Sequence, residues 1–211
     1  MKLYYSPGAC SLASHIALRE IERRFDLERV DVKTHRTASG ADYLAINPKG
    51  QVPALELDGP GSPVLTESAA VLQYVADLAP DHKLAPPAGT LARYHLQELL
   101  NFVASELHEQ FGPLLDARTP GAIAQRQRGK IGERLVYLQD TLNDRAFLMG
   151  ESFGVADAYL FVVLQWCRPH DIDVALYPNL ADYEDRILQR PAVHAAMAAE
   201  GLAHERHRRS A

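Results

Sequence analysis

Cys10 follows the stretch Tyr4-Tyr5-Ser6-Pro7-Gly8-Ala9 and opens a run in which Ala9, Leu12, Ala13, Ile16 and Ala17 are apolar, the spacing of an amphipathic helix. A cysteine at a helix start meets unsatisfied backbone N–H groups and a partial positive charge, and both favour the thiolate. Such positions can lower a thiol pKa from about 8.5 into the range of about 3.5–7.5. The other reading of Cys10 is a small apolar filler of the core. A dithiol redox pair would place a second cysteine three residues on, but that position is Ala13, and the other cysteine is the distant Cys167. Where Cys10 is active and not filler, it is expected to act on an external thiol, through a mixed disulfide or a noncovalent contact.

The elements around it divide the chain into halves of different grammar. Leu3-Tyr4-Tyr5 reads as a strand ending at Ser6-Pro7-Gly8, and residues 29–32 read as a second strand. A short helix is expected near 42–46, followed by the turn Asn47-Pro48-Lys49-Gly50. Val52-Pro53-Ala54-Leu55-Glu56-Leu57 and Val64-Leu65, joined through Asp58-Gly59-Pro60-Gly61, read as a hairpin, and Glu67-Ser68 opens a helix with Val71, Leu72, Val75 and Leu78 on one face. The order is β-α-β-α-β-β-α, a small mixed α/β domain over residues 1–79. Residues 80–89, with Pro80, Pro86, Pro87 and Gly89, form the expected linker. Residues 90–203 carry only helical patterns: a long segment over 90–111 broken near Gly112-Pro113, a face marked by Ile131, Leu135, Leu138 and Leu142, an apolar central helix over 155–166, and shorter helices over 180–189 and 192–201.

Two further places carry chemistry. In a thioredoxin-like arrangement a cis proline at Val52-Pro53 would turn the Val52 backbone N–H and C=O toward a peptide-like ligand; the plain reading is a proline at a strand start. Glu67-Ser68 offers free N–H groups and a hydroxyl to a carboxylate and the Glu67 carboxylate to an ammonium; the plain reading is an N-cap. A thiol partner, an extended backbone rail and a zwitterion site together describe glutathione.

Composition narrows the classes. The 211 residues carry 22 Lys and Arg against 27 Asp and Glu, a net charge of −5, which argues against a nucleic-acid binder. The only local basic surplus is in the tail 204–211, read as solvated. The apolar run Ala158-Tyr159-Leu160-Phe161-Val162-Val163-Leu164 is far short of the ~20 residues of a membrane span, and the first residues do not form an export signal. A reducing cytoplasm is expected, with free cysteines and, in the absence of partners at ligand spacing, no metal.

With these residues in place the chain resembles a cytosolic glutathione S-transferase of the bacterial beta class. The motifs are Met1-Lys2-Leu3-Tyr4-Tyr5-Ser6-Pro7-Gly8-Ala9-Cys10-Ser11-Leu12, Asn47-Pro48-Lys49-Gly50-Gln51-Val52-Pro53-Ala54-Leu55, Leu65-Thr66-Glu67-Ser68, Glu106-Leu107-His108 and Ala156-Asp157-Ala158-Tyr159-Leu160. The resemblance implies a thioredoxin-like N-terminal domain, an all-α C-terminal domain and a homodimer. It implies an enzyme that conjugates glutathione to electrophilic or halogenated substrates, with glutaredoxin-like disulfide exchange and peroxidase activity through Cys10. Cys10 and His108 would be catalytic. Glutathione would meet Tyr5, Ser11, His35, Gln51, Val52, Pro53, Glu67 and Ser68, together with Asn101, Ser105 and Glu106, some of them across a dimer interface. Phe111, Trp166 and His170 would line the pocket for a hydrophobic electrophile, Trp166 having core packing as its other reading.

Three positions depart from the family pattern. His35 stands where a lysine commonly meets the glycine carboxylate of glutathione, Glu109 where a lysine is frequent, and Gly154 where a Ser or Thr completes a buried capping box with Asp157. A non-catalytic binding protein on the same scaffold is the alternative that His35 and Glu109 keep open, and reductive dehalogenation through Cys10 is a narrower enzymatic one.

Overall fold

The computed structural model describes residues 1–202, so the basic tail at 204–211 lies outside the described residues. Two compact units are present, one made of Met1–Ala85 with residues 190–202 and the other of Pro86–Gln189. Among the described residues no helix is long and apolar enough to cross a membrane.

The first unit is a thioredoxin-like mixed sheet with helices. Its strands are β1 (Lys2–Tyr5), β2 (Asp26–Asp31), β3 (Arg36–Thr37), β4 (Ala54–Glu56) and β5 (Val64–Thr66), in the spatial order β3-β2-β1-β4-β5. β1 and β2 are parallel with Leu3 opposite Leu27, whereas β1 and β4 are antiparallel with Leu3 opposite Leu55. Alternation along the strands puts Leu3 and Leu55 on one face and Tyr4 and Ala54 on the other. The second face closes over Val30 and Tyr43. Helices α1 (Ser11–Glu20) and α2 (Ser68–Asp77) pack on each other, burying Leu12, Ile16, Val71, Leu72 and Val75.

Several expectations shift here. The second strand starts three residues early, because its parallel register begins at Lys2 opposite Asp26, and it ends at Asp31, whose carboxylate takes the N–H groups of Lys33 and Thr34 in a turn. Val32 lies beyond it in that turn. The stretch read as polar loop holds the two-residue strand β3, and the helix expected near 42–46 is a single 3₁₀ turn over Tyr43–Ala45, capped by Asp42. Helix α8 (Pro191–Ala199), placed by the sequence in the helical half, packs against α1 in the first unit. Its Val193, Ala196 and Met197 are buried, and Arg190 at its start grips Glu20 through Nε and Nη2 at 2.6 and 2.9 Å.

The second unit is all helical. Its elements are α3 (Leu91–Asn101), a π-helix over Phe102–Leu107, a 3₁₀ turn over His108–Phe111, α4 (Gly112–Leu115), α5 (Gly121–Thr141), α6 (Val155–Gln165) and α7 (Pro178–Leu188). Residues 155–164 of α6 are all buried, so this helix is the centre of the unit, packed by α3, α7 and the π-helix. The long helix read over 90–111 therefore changes geometry at Phe102. Gly112-Pro113 does not break it, since a proline in the first turn of α4 surrenders no hydrogen bond that the helix needs.

Candidate active site

Cys10 caps the start of α1 and is 9% exposed. Its Sγ–H donates to the Val52 carbonyl at 3.1 Å. The helix start acts as expected: the backbone N–H groups of Cys10 and Ser11 and the Ser68 hydroxyl all pull the thiol pKa down. Burial outweighs them, with the nearby Glu67 carboxylate adding to it, and the pKa is pushed up to about 11. The sequence expectation of a depressed thiol is thus corrected. At pH 7 the group is a thiol, because desolvating an anion costs more here than the helix terminus returns.

Around Cys10 the first unit builds a polar rim. The Val52–Pro53 bond is cis, and Val52 spends its carbonyl on Cys10. Gln51 contributes its carbonyl to the Tyr43 hydroxyl at 2.8 Å and to Asn47 Nδ2 at 2.7 Å, which fixes the turn before β4. Glu67, at φ 73° and ψ 121°, holds a backbone conformation that side chains rarely adopt, at a cost of about 1–3 kcal/mol. It precedes α2, and its exposed carboxylate is met by Lys49 Nζ at 2.5 Å, which also reaches Thr66 Oγ1 at 3.0 Å. Ser68 is buried at the first position of α2.

Other expected contacts fall differently. The Ser11 hydroxyl is fully buried and closed on Ser6, accepting from its N–H at 3.2 Å and donating to its carbonyl at 3.3 Å, so Ser11 braces the turn below Cys10 and does not face a ligand. Tyr5 is half-buried with its ring 6.3 Å from that of His15. His35 sits at φ 52° with its ring against Gly50, where a Cβ would lie 2.8 Å from Cε1; this contact and the φ of 68° both require glycine at that position. The buried His35 Nδ1 has no hydrogen-bond partner.

In the second unit the π-helix delivers His108. Its Nδ1 shares a 2.7 Å hydrogen bond with the hydroxyl of Tyr159, a buried residue of α6, and its ring meets Trp166 edge-on at 4.8 Å. Burial lowers the His108 pKa below the usual histidine value, opposed by Glu109, so the ring is neutral at pH 7. Asn101 and Ser105 are exposed, the Ser105 hydroxyl donating back to the Asn101 carbonyl at 3.0 Å. Glu106 is held by Arg134 through Nη2 at 2.8 Å and Nε at 3.1 Å, which assigns its carboxylate a partner inside the unit. Phe111 is completely buried, edge-on to Trp166 at 5.6 Å and to His170 at 5.7 Å, so it supports the aromatic cluster from within and is not a pocket wall. Trp166 is half-buried, and His170 Nδ1 bonds the Trp166 carbonyl at 2.7 Å.

Residues 1–77 match the family described as the glutathione S-transferase N-terminal domain, and residues 90–191 match its C-terminal domain. The chain belongs to the glutathione S-transferase family. It is 44% identical over 202 residues, 96% of this chain and all of its counterpart, to glutathione S-transferase GstA of Escherichia coli O157:H7. Among solved structures, a ternary complex of BphK, a bacterial glutathione S-transferase, is 47% identical with a TM-score of 0.93 and covers 96% of this chain and all of that one. The beta-class enzyme of Sphingomonas chungbukensis gives the same three values, 47%, 0.93 and 96%, and it too is covered completely.

Two residues of this glutathione S-transferase escaped the sequence reading. Lys49 was visible only as a turn and motif residue, and its charge two positions after Asn47 was a usable signal. Tyr159 was masked by its apolar neighbours in α6, and no spacing rule connects it to a histidine 51 residues away.

Proposed function

We propose that this glutathione transferase conjugates reduced glutathione to small electrophilic or halogenated organic molecules, works as a homodimer, and carries disulfide exchange through Cys10 as a slower second activity. One observation carries the reading: the Cys10 thiol, Val52 carbonyl, Ser68 hydroxyl and Glu67 carboxylate converge at the paired starts of α1 and α2. The α-carboxylate of glutathione would take the N–H groups at the start of α2, where the helix field favours an anion, and its ammonium would share Glu67 with Lys49. The bound glutathione sulfur, not Cys10, is the nucleophile. Its thiolate attacks the electrophilic carbon, the carbon–halogen bond breaks and halide leaves. The same thiolate can attack the terminal oxygen of an organic hydroperoxide, breaking the O–O bond to release the alcohol and leave glutathione sulfenic acid, which a second glutathione converts to glutathione disulfide and water. The exposed Leu91 and Tyr94 of α3 and Val136 and Tyr137 of α5 support a covered face in a homodimer.

Calorimetric titration with reduced glutathione, followed by turnover of an aryl halide, tests the reading. Saturable binding near one per subunit with release of halide is expected, and absence of binding at millimolar glutathione overturns it.

The histidines give two further expectations. His108 Nε2 is free of hydrogen bonds among the described residues, which suits proton exchange. Because burial lowers its pKa, the ring stays neutral above the ordinary histidine value of about 6.5 and protonates only below it. Any acid limb of kcat due to His108 therefore lies below pH 6.5, and the stability gained from burying the neutral ring, present above pH 6.5, is lost as pH falls through the lowered pKa. A pH–rate profile of His108→Gln should lack that limb. At position 35, lysine would bring a fixed charge to the glycine carboxylate, a charge-assisted contact worth about 1 kcal/mol where solvent screens it. His35→Lys should lower the KM for glutathione roughly three- to tenfold with kcat unchanged, and an unaltered KM between pH 6 and 8 would remove position 35 from the site.

A further inference from the structure

At the end of the first unit's sheet remote from Cys10, an open cavity of about 500 Å³ is lined by Arg19, Arg23, Arg24, Phe25, Asp26 and Met1. β1 runs from this cavity, next to Met1, to the Ser6-Pro7-Gly8 turn at its other end, so the two ends are separated by the length of the strand. The three arginines arise from the last turn of α1 and the bend that follows it. Their forks are largely unspent. Arg19 uses Nε on the His15 ring at 2.9 Å and lies over the Phe25 ring at 6.0 Å, and among the described residues its two terminal amino groups are unbonded. Among the described residues Arg23 has one loose contact, 3.8 Å to the exposed carboxylate of Asp58. Arg24 has no partner among the described residues. The wall sets three guanidiniums and the Met1 ammonium against Asp26, and Asp58, not itself in the lining, pairs with that ammonium and reaches Arg23, so a surplus of two positive charges remains in a protein whose net charge is −5.

We infer that this cavity is a binding site for a phosphoryl dianion, free or carried on a small organic molecule. Three considerations select that ligand. Guanidinium forks pair with tetrahedral oxyanions through two parallel N–H···O bonds, and they keep their charge at all working pH values. A charge of −2 or more matches the surplus, whereas a single carboxylate leaves one guanidinium uncompensated. The volume exceeds that of a bare phosphate and lies within the usual range of roughly 300–1,000 Å³ for small-molecule sites, so a diphosphate or a phosphorylated metabolite of nucleotide size fits. Arg19 is held in place by His15 and Phe25, and Arg23 and Arg24 supply the adaptable arms. This site is distinct from the proposed glutathione site and does not depend on it.

The test is calorimetric titration of the full chain with inorganic pyrophosphate and, separately, with ADP, in phosphate-free buffer of low ionic strength, with and without saturating S-methylglutathione. Saturable binding at or below about 1 mM is expected for at least one probe, unchanged by S-methylglutathione and weakened at least tenfold in the Arg23→Gln/Arg24→Gln double variant. Tighter binding of ADP than of pyrophosphate would assign the site to carried phosphate, and equal or weaker binding to free phosphate. Arg24→Lys should retain part of the affinity. Both substituted positions are exposed, and an unchanged melting temperature checks that the double variant is folded. Binding of neither probe, binding abolished by S-methylglutathione, or binding unaffected in the folded double variant overturns the assignment.

Discussion

Replacing Cys10 with alanine will abolish the dithiothreitol-sensitive glutathione adduct while leaving conjugation of an aryl halide within a fewfold of the starting enzyme. The argument follows from the state of the thiol. With its pKa near 11, about one Cys10 in ten thousand is ionised at pH 7. It cannot be the group that attacks in fast turnover, and its hydrogen bond to the Val52 carbonyl makes it a donor in the groove. Disulfide exchange needs the thiolate, which attacks one sulfur of oxidised glutathione, forms the mixed disulfide and releases the other half as a thiolate. The rate of adduct formation in the unmodified protein should therefore climb about tenfold per pH unit from pH 7 to 10, read by intact mass after quenching in acid. A rate that levels off near pH 7 would mean a thiol activated by the helix start, contrary to the burial described above. Cys167, fully buried and with its pKa pushed up by burial and Glu184, should stay unmodified throughout.

Asp157→Ala should be the most damaging single substitution in the helical unit. Asp157 is completely buried in the first turn of α6. One carboxylate oxygen accepts the Gly154 N–H at 2.8 Å; the other accepts the Leu148 N–H at 2.8 Å and the Tyr183 hydroxyl at 2.9 Å. Alanine would strand the two N–H donors in the core and leave the Tyr183 hydroxyl only the long 3.4 Å contact to the residue 157 carbonyl, at a cost of roughly 3–5 kcal/mol, or a fall in melting temperature of about 6–20 °C. Thermal melts with far-UV detection would measure it, and a fall below 3 °C would mean that water or a rearranged loop satisfies those donors. The complementary change is milder. Gly154 has no side chain, so only the Asp157 arm of a reciprocal cap exists; Gly154→Ser restores the missing hydroxyl and should add a few tenths of a kcal/mol.

The start of the domain through β1 and α1, the β4–β5 hairpin leading into α2, and the central α6 were legible because each rests on local periodicity and on turn residues that restrict the backbone, whereas the short β3 and the 3₁₀ turn in place of a second helix were not. The π-helix was not: Phe102 to Leu107 has ordinary helical composition, and nothing in its residue types marks the widened turn that packs on α6. Cys10 illustrates a second limit. The helix start that lowers a thiol pKa could be read from Ser6-Pro7-Gly8, but the burial that reverses the outcome, and the Glu67 carboxylate that adds to it, come from tertiary packing. Glu106 and Phe111 show the same limit: residue type and motif position suggested ligand contacts, and long-range partners hold them instead, whereas Ser11 is closed on the near neighbour Ser6.

The first unit is assembled from both ends of the described chain. Glu200 bonds the His15 ring at 2.9 Å and the Gly8 N–H at 3.0 Å, Arg190 grips Glu20, and α8 covers α1. On the ribosome, the segment bearing Cys10 therefore emerges early and waits for Glu200 while 185 residues are added after His15. At about 5–20 residues per second, that interval is on the order of 10–40 s. During it, a buried histidine and an uncovered helix face lack their partners, and the cysteine turn lacks its carboxylate anchor, so this half of the protein reaches its final form only after the helical half has been made.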